Sequence, residues 1–447
     1  MTSNAQETVK LFRQALPYIN AYRGKVFVIL LPGEAIAHDN FPNIAHDITL
    51  LNSLGVKLVL VQGARPQIEA ALKSAGLKDE KHDDVHGDLH HQLRVTDTAS
   101  LEVIKNVVGN LRINIEAKFS AGLPNSPMHG ADISTVSGNY IVAKPYGVHN
   151  GVDYCHTGEV RKVDSEEISR QLDAGKTVLL SNLGYSSTGE IFNLTVEDVA
   201  VSSAIALSAD KLLVYSAESG ILDDEGAPIS QLNAEEAKLL IQEKIANKGK
   251  DKQLLNLELA TKACQAGVKR AQVISYVEDG ALLTELFTRD GTGTLITQEE
   301  YESVRVASFE DVRGILELIQ PLEEEGALVE RSPELIENEI TRFMVIEREG
   351  MIIACAALYP QEDNSGELAC VATHPDYRKQ NLGGLMLEFV EKHARKSGLT
   401  SLFVLTTKTP HWFLERGFEE GDIASLPEAK QSLYNFQRNS KIFKKSL

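Results

Sequence analysis

The chain has 447 residues, is 43% hydrophobic and 24% charged, and carries a formal net charge of −18. That length suggests two or three domains with cores of ordinary size. Such acidity gives no general attraction for nucleic acid or an anionic membrane, so neither is an expected partner. No run of about 18 apolar residues occurs, and the N-terminus has acidic Glu7 and no apolar stretch of signal length, so a cytoplasmic protein is expected. Cys155, Cys264, Cys355 and Cys370 lie far apart, without a Cys-x-x-Cys pair or a histidine at metal spacing. Buried free thiols and no metal site are the expectation.

Taken in chain order, residues 6–22 carry helical periodicity (Val9, Phe12, Ala15, Leu16, Ile19), and the sequence leaves open whether this helix packs on its own domain or a neighbouring subunit. Residues 25–31 form an apolar strand ending at Pro32-Gly33-Glu34. A helix follows over 44–54, then a buried strand over 56–62, and Gly63 begins the entry to the next helix. Residues 148–155 and 158–163 read as strand and hairpin, 177–180 as a buried strand, 196–207 as a helix and 211–215 as a strand. Residues 254–266 read as a helix, 271–276 as a strand and 282–286 as the start of the domain's last helix. Apolar strands alternating with amphipathic helices predict an α/β domain whose mainly parallel sheet is covered on both faces.

The segments VILLPGEA (28–35), LVQGARPQI (60–68), SGNYIVAKP (137–145), FNLTVEDVA (192–200) and ELFTRDGTGT (285–294) resemble the amino-acid kinase fold, within it the acetylglutamate kinase branch, across residues 5–295. Kinases of this fold place a lysine two residues before the first glycine of a Gly-Gly pair, where it meets the transferring phosphoryl group. Here that position is Leu30 and the pair is Pro32-Gly33. Phosphoryl transfer depends on positioned cations, so the domain is expected to bind and regulate rather than phosphorylate. The resemblance to arginine-inhibited members implies an L-arginine pocket built from Tyr18, Ser275, Glu285 and the backbone at Gly291. Glu285 lies among Leu282, Leu283, Leu286 and Phe287, and a carboxylate in apolar surroundings needs a partner, which a guanidinium would supply.

Gly291 to Gln298 is rich in glycine and threonine and pauses the alternation. The expected divisions are an N-terminal helix over 1–22, the kinase-like domain over 23–295, a linker over 296–303 and a second domain over 304–447. In the second domain, 304–307 is a strand and Ser308 an N-cap for a helix over 309–319, with Asp311 three residues on in partial imitation of a capping box. Ser332-Pro333 opens another helix. Strands over 343–347 and 351–358 form a hairpin, a strand follows over 366–373, and further strands over 401–405 and near the C-terminus flank a short helix at 410–416. The stretch ELACVATHPDYRKQNLGGLMLEFV (367–390) runs from strand through a polar loop into a helix with its apolar stripe at Leu382, Leu385, Met386, Phe389 and Val390. A glycine-bearing loop that opens a helix suits an anion, because its N–H groups and the helix dipole both face it.

This loop, the order of strands and helices and the ending FLERGF (413–418) resemble the GNAT acetyltransferases, whose loop holds the pyrophosphate of acetyl-CoA. The resemblance implies acetyl-CoA contacts from Val371, Arg378, Lys379, Gln380, Asn381, Gly383 and Gly384. A kinase-like domain joined to a GNAT domain implies transfer of acetyl from acetyl-CoA to the α-amino group of L-glutamate, the first step of arginine biosynthesis, with feedback inhibition by L-arginine and a hexameric assembly. The chemistry needs a base for the α-ammonium, for which Glu367 is the candidate. It also needs donors for the oxyanion, from the backbone at Cys370 and Val371 if the strand bulges there. Cys370 has no adjacent base, which favours direct transfer over an acyl-cysteine. Arg331, Arg438 and Ser440 are candidates for the substrate carboxylates, and Thr406 for protonating the leaving thiolate. The competing readings are an acetylglutamate-kinase-type phosphotransferase and a non-catalytic arginine sensor.

Overall fold

A strand buried on both faces needs almost continuous apolar sequence, and VFVILL provides it. β1 (Val26–Leu31) sits at the middle of an eight-stranded sheet, buried along its length from Phe27 onward. A computed structural model describes residues 3–84, 89, 91–120, 130, 133–247, 251–288, 291–298, 303–348, 351–377, 382–407, 410–431 and 440–447. The chain divides into two compact units, Met1–Glu299 and Glu300–Leu447.

The large sheet of the first unit comprises β1, β2 (Lys57–Gln62), β3 (Thr135–Val136), β4 (Thr177–Ser181), β5 (Lys211–Ser216), β6 (Gln231–Asn233), β7 (Arg270–Ser275) and β8 (Thr294–Thr297), in the order β6-β8-β7-β5-β1-β2-β4-β3. All pairings are parallel except β7 with β8. Alternation along β1 and β2 sends Val28, Leu30, Val59 and Val61 into one core, and Phe27, Ile29, Leu31, Leu58 and Leu60 into a second on the opposite face. A four-stranded sheet (Gly158–Val163, Ile141–Pro145, Leu183–Tyr185, Ile191–Asn193) lies in the same unit.

Longer helices stand where the periodicity reading left the chain unassigned, among them Thr98–Phe119, Ser165–Asp173 and Ala234–Asn247. The first two are started by side chains, Asp97 accepting from Ser100 N at 2.7 Å and Asp164 from Glu167 N at 3.2 Å. The N-terminal helix α1 (Ser3–Tyr22) packs on its own unit. The Tyr22 hydroxyl donates to Leu286 O at 2.9 Å, and the Tyr22 ring meets Phe287 at 5.8 Å. All four cysteines are free, and Cys155 departs from expectation by being exposed, in a left-handed turn at φ 51°.

The second unit is built on a seven-stranded sheet: β9 (Ser303–Val306), β10 (Phe343–Arg348), β11 (Met351–Pro360), β12 (Ser365–Thr373), β13 (Ser401–Thr406), β14 (Glu419–Gly421) and β15 (Lys441–Ser446), in the order β9-β10-β11-β12-β13-β15-β14. β12 and β13 form its one parallel pair. One face packs on the long helix Leu382–Lys396 through Leu358, Leu368, Met386 and Val390. The other packs on the helix Val312–Glu324 through Ile315, Ile319, Cys355 and Ala357.

The expected start signal at Ser308 is present, although the chain makes a 3-10 turn (Phe309–Asp311) before the α-helix. Asp311 accepts from Ser308 N at 2.7 Å and takes a bidentate grip from Arg305 at 2.7 and 2.8 Å. Hydrogen bonding to Arg305 outweighs burial and, with Ser308, holds the Asp311 carboxyl down at about 2 against an ordinary 3.8. A carboxyl whose folded pKa is depressed stabilises above the unfolded value, and that stability is lost as pH falls through the folded one. Asp311→Asn should therefore cost about 1–2 kcal/mol at neutral pH. The gap from the parent should close as pH drops from 3.8 through about 2. Urea unfolding followed by the single tryptophan, Trp412, reads this out; a gap that does not change with pH would contradict it.

Candidate functional site

In the second unit the strands themselves make an opening. β12 and β13 pair in register from Ser365↔Ser401 to Leu368↔Val404 and then stop, although β12 runs on to Thr373 and β13 to Thr406. Among the described residues, β12 has no strand partner on that side beyond Leu368. On its other side the register with β11 passes from Ala357↔Ala369 to Cys355↔Ala372, so Cys370 and Val371 together oppose one residue, Ala356. This is the bulge expected at that position, and Cys370 within it takes a left-handed conformation, φ 51°. A bulge re-aims amide groups and side chains into the gap where the ladder ends.

The structure brings Glu367, Cys370 and Arg331 together at this opening. Burial works against the charge of the Arg331 guanidinium, but the nearby Cys370, Tyr359 and Glu367 outweigh it, leaving its pKa above the usual arginine value. Its position is fixed from behind, with Arg331 N donating to Glu323 Oε1 at 3.1 Å and Nη1 to Val329 O at 3.1 Å. Burial pushes the Cys370 thiol up to about 11, with Arg331 pulling the other way and Glu323, Glu367 and Glu339 adding to the rise. The thiol is therefore neutral at physiological pH, a poor nucleophile. Glu367 is largely buried and meets Lys430 Nζ at 2.5 Å, so its carboxylate already receives one ammonium group. Lys430 and Tyr359 carry no sequence signal for this place. Lysine in a short polar helix and tyrosine at a strand end each look like surface residues.

Other expected residues are placed differently. Val371 lies in the bulge, and Thr406 ends β13 opposite Lys441. Ser440 lines a cleft with Glu420, Asp422 and Lys441, which Glu367, Cys370 and Arg331 do not line. Arg378, Lys379, Gln380, Asn381 and Arg438 lie outside the described residues. Gly383 and Gly384 are in the first turn of the helix Leu382–Lys396, whose leading N–H groups have no partner within the helix. A Cβ on Gly383 would come within 2.8 Å of Trp412 Cζ2, so close packing on the short helix Pro410–Leu414 also demands glycine there.

In the first unit, a cavity of about 100 Å³ opens at the C-terminal ends of β1, β2 and β5. Buried Leu30 lines it, and Lys252 there is paired with Glu34 at 2.5 Å. The second expected pocket centres on Glu285 in the helix Ala281–Phe287. Here the expected need for an external cation is corrected. The buried carboxylate accepts from Gln272 Nε2 at 2.7 Å, Thr292 N at 2.8 Å and Gly293 N at 2.9 Å. Glycines explain the approach: a Cβ on Gly291 would collide with the Glu285 carboxylate, and one on Gly293 with Val273 O. Gln272 in turn accepts from buried Lys211 at 3.1 Å, whose ammonium lies 5.0 Å from the Tyr22 ring. Tyr18 packs beside Tyr22 at 6.2 Å. Glu285, Gly291 and the N-terminal helix are thus connected. The Ser275 hydroxyl is not part of this connection, because it donates to Ala217 O at 3.2 Å and accepts from Val277 N at 3.1 Å.

Comparison with known proteins agrees with both halves. The amino acid kinase family matches residues 25–275, and the acetyltransferase (GNAT) family matches residues 312–418. An amino-acid acetyltransferase of Azotobacter vinelandii (strain DJ / ATCC BAA-1303) is 54% identical over 443 residues, covering 99% of this chain and 100% of that protein. One from Pseudomonas aeruginosa (strain LESB58) is 53% identical over 440 residues, 98% of this chain and 99% of that protein. Among solved structures, N-acetylglutamate synthase from Neisseria gonorrhoeae complexed with coenzyme A and L-arginine matches with a TM-score of 0.88 at 35% identity, covering 98% of this chain and 99% of that one. The same enzyme complexed with coenzyme A and N-acetyl-glutamate matches with a TM-score of 0.61 at 36% identity over the same shares.

Proposed function

The chain belongs to the amino-acid acetyltransferases, in which an amino-acid-kinase domain is joined to a GNAT domain, and from that premise we propose that it transfers acetyl from acetyl-CoA to the α-amino group of L-glutamate under inhibition by L-arginine. The observation that carries this reading is the meeting of Glu367, Arg331 and the Cys370–Val371 bulge where β12 and β13 part. The matched enzyme complexed with coenzyme A and N-acetyl-glutamate supports the choice of substrates.

The residues present suit a pantetheine thioester. The place where β12 and β13 part is where its extended arm would lie, beside the bulge at Cys370 and Val371. The first turn of the helix Leu382–Lys396 offers N–H groups to a phosphate. When bound, acetyl-CoA supplies the acyl group and a thiolate leaving group.

The chain's own residues do the rest. Glu367 removes a proton from the substrate ammonium, and its ion pair with Lys430 marks a place where a cationic amine rests against this carboxylate. Arg331 clamps a substrate carboxylate through two parallel hydrogen bonds. Backbone N–H groups at the bulge meet the charge that develops on the acetyl oxygen. Cys370, with its thiol held neutral, stays out of the bond-making, so the amine attacks directly.

In the kinase-like unit, Leu30 stands where kinases of this fold place a lysine, and of the cations lining the cavity there, Lys252 is paired with Glu34 while Arg65 also faces it; the missing lysine at the β1 end supports a regulatory role. Arginine enters this account at Glu285, where the ligand's guanidinium or ammonium adds to the internal hydrogen bonds already there.

Two tests follow. Glu367→Gln should lower kcat about 100-fold or more while leaving coenzyme A binding intact. Free-thiol release with the parent enzyme should be fast with glutamate and slow with aspartate or ornithine; equal rates for Glu367→Gln and parent would remove the base assignment. Glu285→Gln keeps an acceptor for the Thr292 and Gly293 amides but removes the charge. It should raise the arginine concentration giving half inhibition about tenfold or more, and inhibition equal to the parent's would place arginine elsewhere.

A further inference from the structure

The candidate base is already paired, and its partner comes from a segment outside the sheet. Largely buried Glu367 meets Lys430 Nζ at 2.5 Å, and Lys430 stands in the short helix Glu428–Gln431. Register explains why they meet. Phe403 on β13 lies directly opposite Glu367 on β12, so both side chains project from the same face of the sheet. Leu426 packs on Phe403 and Ile442, which lays the segment just before the helix across that face. The segment is tied down there: Gln431 Nε2 donates to Leu426 O at 2.7 Å, Lys430 N to Pro427 O at 2.8 Å, and Lys444 Nζ on β15 to Ser425 O. The anchor is fixed, whereas the Lys430 ammonium rides on a flexible four-carbon stem that is partly exposed.

That ammonium occupies the place the reaction needs. The substrate's own ammonium must reach the same carboxylate to lose its proton, so Lys430 has to leave it. A displaced cation in a largely buried site needs another partner. L-glutamate brings one, because Arg331 holds one of its two carboxylates in the reading above and leaves the other. We propose that Lys430 is a substrate-binding residue that works by exchanging ion pairs: the incoming ammonium takes its place on Glu367, and its own ammonium turns to the carboxylate that Arg331 does not hold. In the free chain Glu367 and Lys430 satisfy each other. In the complex each meets an opposite charge on the substrate, and no ion is left buried alone. An amino acid lacking that carboxylate displaces Lys430 without offering it a partner. Selection for a dicarboxylate thus comes in part from a cation that the wrong substrate leaves unpaired.

This proposal rests on the acetyltransferase reading of the site, and its test separates the two. Glutamine lacks the side-chain carboxylate, and glutamic acid α-amide lacks the α-carboxylate. Thiol release gives kcat/KM for glutamate and for each amide, in the parent and in Lys430→Met, which keeps an unbranched side chain and removes the charge. For glutamate, the lost carboxylate contact and the vacated Glu367 act in opposite directions, so the ratio of glutamate to each amide is the readout. One of the two ratios should fall about tenfold or more, with that amide's own kcat/KM rising, while Arg331 keeps the other within about threefold. A better rate with a poor substrate is not what a misfolded variant gives. Lys430→Arg keeps the cation and should keep both parental ratios within about threefold. Both ratios unchanged in Lys430→Met overturns the proposal and leaves the second carboxylate to another cation such as Arg438. Both falling together overturns it too, since the charge then acts without direction, and so does a ratio that falls only because glutamate is weakened. A parent enzyme that releases no thiol with glutamate refutes the acetyltransferase reading itself, which an active enzyme with unchanged ratios leaves standing.

Discussion

The second unit is organised by one interruption, the bulge at Cys370–Val371. A regular β12 would pair with β11 and β13 along its whole length and close the sheet. Two residues opposite Ala356, one of them in a left-handed conformation, bend the strand away from β13 instead. A non-glycine residue in that conformation costs about 1–2 kcal/mol. The packing on either side holds it there: Leu358, Leu368 and Val390 on one face, and Cys355, Ala357 and Ile315 on the other, are all nearly inaccessible to solvent. Opening the sheet and placing a carboxylate beside the opening are thus one structural event, since Glu367 is in the last stretch of β12 that still pairs with β13.

Charge follows from that geometry. An opening in an apolar sheet cannot hold isolated ions, and each ionic group there has a partner: Glu367 has Lys430, Glu339 has the Tyr359 hydroxyl and Arg342, and Arg331 has the fields of Cys370, Tyr359 and Glu367. The same rule explains Glu285 in the first unit, where partners are amides rather than cations. The two sites differ in kind. One gathers groups that can exchange a proton, while the other holds a satisfied carboxylate under the N-terminal helix, linked to it through Gln272, Lys211 and Tyr22.

Much of this was legible in the sequence because it is local. Apolar runs such as VFVILL and KLVLV announce buried strands, Ser308 and Asp311 announce a helix start, and the ACVATHPDY stretch announces a strand running into a loop and helix. What stayed hidden is non-local. Nothing near Tyr359 in the chain says that it faces Glu367, since that pairing exists only once β11 and β12 are in register. Apolar surroundings implied an external cation for Glu285, but its acceptors are satisfied by Thr292 and Gly293, whose approach depends on glycines lacking a Cβ. The long helix Thr98–Phe119 escaped notice because buried Leu101, Ile104, Val108, Ile115 and Phe119 are spaced among other apolar residues, which blurs the stripe.

The central claim is that amine and thioester meet at the bulge, with Glu367 as base and no covalent enzyme intermediate. A crystal structure of the full chain with coenzyme A and N-acetylglutamate tests it most directly. The account predicts the acetyl oxygen about 3 Å from backbone N–H at Cys370 or Val371, the amide nitrogen within reach of Glu367, and a carboxylate on Arg331. An acetyl group bonded to the Cys370 sulfur, or a product bound away from the β12–β13 opening, would contradict it.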